Sequence, residues 1–201
     1  QIDCVIFDVN PWLGSIKQNL FSISDLFIIP TNPDPFSLMA INTLATVLPR
    51  WTKHAVQMQG MFADSSYPFP VRSPKLGGLL IQRFNIRNGK PNKPFRDNMN
   101  EILKAVSENL VPAFQQNHML LSDEMYTDGV IPKDYCLAEI PDFQSLLQKS
   151  NEIGVPVFAL TDSEINYKGK VLAQMQDKRE DFNKLFVSLA EQILHIKENY
   201  V

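Results

Sequence analysis

Short apolar runs separated by stretches of helical spacing constrain this chain more than any other feature. Residues 4–7 (CVIF), 26–29 (LFII) and 79–81 (LLI) are rich in β-forming side chains and too short to be helices. Residues 14–24 leave room for one short helix between the first two runs. After Pro30 closes the second run, Asp34 offers a helix cap, and Phe36, Met39, Ile41 and Leu44 follow at helical spacing. Strands this apolar are buried on both faces. When they alternate with helices, the arrangement that buries them is a mostly parallel sheet flanked by helices. The chain is therefore read as α/β.

The rest of the chain fits that reading. Residues 60–75 hold Gly60, Pro68, Pro70 and Pro74 and read as a loop or excursion. Residues 98–114 place Met99, Ile102, Leu103, Val106 and Leu110 on a helical period. Residues 118–135 are irregular, and 135–140 form a short strand ended by Pro141. A helix is expected over 143–151, an extended or strand-like piece over 154–160, and an amphipathic helix over 181–197. There is no internal repeat. A chain of 201 residues, 44% hydrophobic and 20% charged, suits one sizeable core, so 1–201 reads as a single domain.

Several function classes are set aside by composition. No run of 18 apolar residues occurs, so no membrane span and no membrane partner are expected. Cys4 and Cys136 match no metal spacing and read as reduced thiols of a cytoplasmic protein. His54, His118 and His195 are scattered and imply no metal site. The formal charge of -3 gives no general attraction to nucleic acid, so any such contact is local. One local candidate is the strip Arg83, Arg87, Lys90, Lys93 and Arg96, which contains no acid. It reads either as a solvated loop or as a surface for phosphates. With only Phe84 and Phe95 interleaved, stacking on single strands is not favoured.

In parallel sheets ligands bind at the carboxyl ends of the strands. Asp8 follows the first apolar run and is expected at that edge, as a ligand-facing carboxylate or as a turn cap.

The first forty residues carry a further signal. An apolar run ending in Asp8 is followed by Pro11, Leu13-Gly14 and Asn19, then by Ile29-Pro30 and by Asp34 with Phe36-Ser37-Leu38. This resembles the ParA/MinD class of deviant P-loop ATPases. Asn10 stands where that family usually has a proline. The likeness continues more weakly in GGLLIQRFN, where Gln82-Arg83 fall at a strand end, and in Ile140-Pro141, Gly154 and Pro156. The resemblance implies a P-loop NTPase-like fold that uses ATP and Mg2+. Asp8 would be the catalytic-site aspartate, holding the metal through water. Asn10 and Gly14 would lie near the γ-phosphate, Gln82 and Arg83 at the base, and Pro141, Asp142 and Phe143 along the same pocket.

It also implies a slowly hydrolysing homodimeric switch of the ParA branch, with a partner regulatory protein. Non-specific DNA binding would involve Arg87, Lys90, Lys93 and Arg96. No Gly-x-x-x-x-Gly-Lys-Ser/Thr phosphate loop occurs in the sequence. The chain is therefore expected to be the carboxyl-terminal part of such an ATPase, incomplete on its amino-terminal side and unable to hydrolyse ATP alone. Two other readings stand beside this one. One is a non-enzymatic protein-binding module on a degenerate ATPase fold, and the other a cobyrinic-acid-type ligase of the same superfamily.

Overall fold

Thr31 and Leu80 are 49 residues apart, yet the Thr31 hydroxyl donates to the Leu80 carbonyl at 2.9 Å. That bond belongs to a parallel sheet. The computed structural model describes residues 3–9, 14–66, 72–87 and 89–200. In chain order its elements are α1 (Ser15–Ile23), β1 (Leu26–Thr31), α2 (Pro35–Met61), β2 (Lys75–Phe84), β3 (Ile86–Arg87), β4 (Lys90–Pro91), α3 (Lys93–Ala105), α4 (Val111–Gln116), β5 (Cys136–Pro141), α5 (Ser145–Ile153), α6 (Asp162–Ile165) and α7 (Gly169–Tyr200). β1, β2 and β5 form a three-stranded sheet in that order, parallel throughout. β3 and β4 make a separate antiparallel hairpin.

The fold is α/β with a parallel sheet flanked by helices, as the alternation of signals predicts. α2 links β1 to β2, α3 and α4 link β2 to β5, and α2 packs on both of those helices. α7 packs against β5. The main core joins Ile29 of β1 and Leu76 and Leu79 of β2 to Ile41 and Leu48 of α2, Leu110, Phe114, and Leu189 and Ile196 of α7. A smaller cluster of Ile81, Phe84, Met99 and Cys136 fills the space between the sheet and α3.

Local chemistry sets the element ends. The Asp34 carboxylate accepts from the Ser37 N–H at 2.7 Å, and Pro35 takes a first-turn position where no donor is needed. Between α3 and α4 the helix widens into a π turn, Val106–Leu110, just before Pro112. A proline gives the ladder no N–H and its ring crowds the preceding turn; α2 carries one such residue inside its run, Pro49, whereas here the wider turn precedes Pro112.

Four sequence expectations are corrected. Residues 4–7 are not a buried strand: residues 3–9 have no regular structure and are exposed, with Ile6 at 88%. A β-forming run becomes a strand only where a neighbour takes its backbone groups, and this run joins no sheet. Residues 154–160 hold a 3-10 turn, Val157–Ala159, in place of an extended piece. The last helix begins at Gly169, well before 181. The basic segment after β2, expected as a loop or helix entry, enters α3 at Lys93 but first folds into the β3–β4 hairpin in place of a loop. No helix among the described residues is long and apolar enough to cross a membrane.

Candidate ligand edge of the sheet

The carboxyl ends of β1, β2 and β5 bring together residues that lie far apart in sequence. Gln82 pairs with Ile140 and Phe84 with Pro141, and the Asp142 N–H donates to the Phe84 carbonyl at 3.0 Å. The two segments predicted to share a pocket, 82–83 and 141–143, are thus neighbours at one sheet edge. On the β1 side, Asn98 Nδ2 donates to Pro33 O at 2.9 Å and ties α3 to the end of that strand. Asn32 Oδ1 is buried there without a hydrogen-bond partner among the described residues.

The predicted residues differ in how free they are. The Gln82 side chain is half-buried and makes no hydrogen bond among the described residues, so its carboxamide keeps a donor and an acceptor. Arg83 is exposed, and its backbone is left-handed with φ 61°. Asp142 is exposed, and its carboxylate accepts from the Gln144 N–H. Phe143 is committed elsewhere: its ring meets Phe182 of α7 edge-on at 4.5 Å. It joins the sheet edge to the cluster of Leu146, Val157, Leu160 and Ile165. Pro141 is half-buried as the last residue of β5.

Of the amino-terminal candidates, neither Asp8 nor Gly14 belongs to a strand of the sheet. Asp8 is exposed in the segment 3–9 that pairs with no strand. Asn10 lies outside the described residues. Gly14 caps α1 in an extended conformation that any residue adopts, and a Cβ there would meet nothing.

The basic strip divides in two. Arg96 forks onto Glu139 of β5, Nη1 to Oε1 at 3.2 Å and Nη2 to Oε2 at 3.3 Å. Arg83, Arg87, Lys90 and Lys93 are exposed and make no ion pair among the described residues. Arg87 and Lys90 are direct partners across the hairpin, so two like charges stand side by side. Like charges directly opposite destabilise a ladder, and an anion placed between them removes that penalty. The Asn88-Gly89 pair was the available sequence signal for this hairpin. Lys93 opens α3, which has no acid in its first turn, so the positive field of the helix start adds to the strip.

Gln82 and Arg83 present an amide and a guanidinium at the carboxyl end of β2. Among the described residues no group of three metal-ligating side chains occurs, and Asp8 is exposed in a segment outside the sheet. Comparison with family models, with curated proteins and with solved structures finds no match to this chain.

Proposed function

We propose that this chain supplies the base-binding edge of an ATP-dependent switch similar to the ParA/MinD class. The observation that carries the reading is the meeting of Gln82-Arg83 with Pro141-Asp142 at the carboxyl ends of adjacent parallel strands. That is where a parallel sheet binds ligands. The Gln82 carboxamide can donate to and accept from the Watson–Crick edge of adenine, and the Arg83 plane can stack on its face. In the same reading Arg87, Lys90 and Lys93 meet duplex phosphates, while Arg96 holds α3 to β5 through Glu139.

The test compares ATP with GTP by titration of a fluorescent nucleotide. Gln82→Ala is expected to weaken ATP binding about tenfold and to erase the preference for adenine, as removal of a hydrogen-bonded base edge would do. Unchanged affinity and preference in that variant would overturn the base assignment. Replacing Arg87, Lys90 and Lys93 together by Ala should weaken duplex binding regardless of sequence. It should also shallow the log–log salt slope by roughly 0.9 for each phosphate that is no longer neutralised.

A further inference from the structure

We propose a second small-molecule site at the opposite, amino edge of the sheet: a cleft of about 440 Å³ that takes a monoanionic carboxylate with an apolar body, the carboxylate resting on Lys75. Lys75 is the first residue of β2, and the cleft opens between it, the end of α4 and the turn into β5. Leu121, Ile131 and Tyr135 line its apolar part, and His118 and Asp123 stand with Lys75 on its polar side. The cleft is half open and its lining is more polar than apolar, with Gln115 among its polar residues; its volume lies within the usual range for small-ligand sites.

Two walls are fixed before any ligand arrives. His118, at φ 55°, ends α4 in a left-handed turn. Its N–H donates to Gln115 O at 3.2 Å, and the Met119 N–H donates to Phe114 O at 2.9 Å. Tyr135, at φ 63°, is held by its N–H on Val130 O at 2.9 Å. A preformed cleft spares the ordering cost of binding.

The charge arrangement selects the ligand class. The Lys75 ammonium donates to the His118 carbonyl and forms no ion pair among the described residues. It is partly withdrawn from water, and that burial holds its pKa below the usual lysine value. Asp123 lines the same cleft without pairing with it. A carboxylate on Lys75 would supply the missing counter-charge through a charge-assisted hydrogen bond. With a single ammonium and the Asp123 carboxylate close by, a monoanion is preferred to a doubly charged phosphate.

The experiment is a ¹H–¹⁵N NMR titration of the chain with benzoate, with benzamide as the neutral isostere and acetate as the anion without a ring. Benzoate is expected to give saturable shifts centred on Leu121, Ile131 and Tyr135. Benzamide and acetate should bind at least about tenfold more weakly, each lacking one half of the recognition. Lys75→Met should abolish the preference for benzoate over benzamide. Asp123→Asn should tighten benzoate several-fold, a gain that damaged folding cannot mimic. Absence of saturable shifts at these amides, equal binding of benzoate and benzamide, or an unchanged benzoate affinity in Asp123→Asn would each overturn the site.

Discussion

The β2–β5 ladder slips register twice, and the two slips use different residues for the same manoeuvre. Near its start, Leu79 pairs with Cys136 and Leu80 with Ala138, so Leu137 on β5 is the extra residue. It packs against Gly78, where a Cβ would lie 2.5 Å from Leu137 Cγ and 2.9 Å from Tyr135 O, on a backbone with φ 150°. Near its end, Gln82 pairs with Ile140 and Phe84 with Pro141, so the extra residue is Arg83 on β2, left-handed and exposed. Strict alternation from Ile81 would turn Arg83 inward and Phe84 outward. The slip reverses this, and Phe84 is 2% exposed beside Ile81, Met99 and Cys136. Holding a non-glycine residue left-handed costs about 1–2 kcal/mol, and burying a phenylalanine returns about 2–3 kcal/mol. Crowding dictates glycine at the first slip. At the open second slip a strained arginine is tolerated because its neighbour gains more.

The sharpest way to break this comparison is Gly78→Ala. Overpacking against Leu137 and Tyr135, added to a positive φ, should destabilise the chain by about 3 kcal/mol. A urea midpoint near that of the wild type would show that β5 can retreat and that the first slip is not crowded.

The second test uses the thiol paired with Leu79 at that slip. Burial first, and then the Glu139 carboxylate, push the Cys136 pKa up to about 11. Between the ordinary thiol value of 9.0 and about 11, the unfolded chain releases this proton and the folded chain keeps it. Stability from this group is therefore whole below pH 9.0 and falls as pH rises towards 11. The loss is about 1.4 kcal/mol per pH unit within the window. Denaturant midpoints across alkaline pH should fall less steeply in Cys136→Ala than in the wild type. Parallel slopes would mean that the thiol ionises freely and that the first slip is open to water.

Arg83→Gly carries the smallest effect and the opposite sign. Glycine relieves the left-handed strain, so stability should rise by about 1 kcal/mol while adenine binding weakens. A loss of stability would show that the arginine side chain holds the second slip in place.

The three strands of the sheet were legible because each is an apolar run bounded by Pro or Gly. The same rule misread residues 4–7, since composition reports the tendency to form a strand but not the presence of a neighbour. The first turns of α7 were hidden in GKVLAQMQDKRE, a polar stretch whose Leu172 and Met175 pack on the Leu146 and Phe182 cluster. The meeting of Gln82 with the segment after Ile140 followed from the strand order and was readable once a parallel sheet was assumed. The Arg96–Glu139 fork was not, because it joins side chains 43 residues apart whose partnership depends on the path of α3. The commitment of Phe143 to Phe182 was equally hidden, since a ring beside a strand end reads alike whether it faces a ligand or a helix.

The parallel order of the sheet also bears on how the chain reaches its fold. No two of its strands are joined by a hairpin. Bringing β1 to β2 closes a loop like the 49 residues between Thr31 and Leu80, and bringing β2 to β5 closes one only slightly longer. Closure entropy grows with the logarithm of length, so the two differ by about 0.1 kcal/mol and neither pairing gains a head start from chain statistics. The order of assembly then rests with the crossover helices. Each crossover accommodates a proline, Pro49 within α2 and Pro112 at the start of α4, but α2 has its own side-chain cap and stays α-helical throughout, whereas the α3–α4 path is broken by a π turn. The β1–α2–β2 unit is accordingly the natural nucleus, with β5 and α7 docking onto it later.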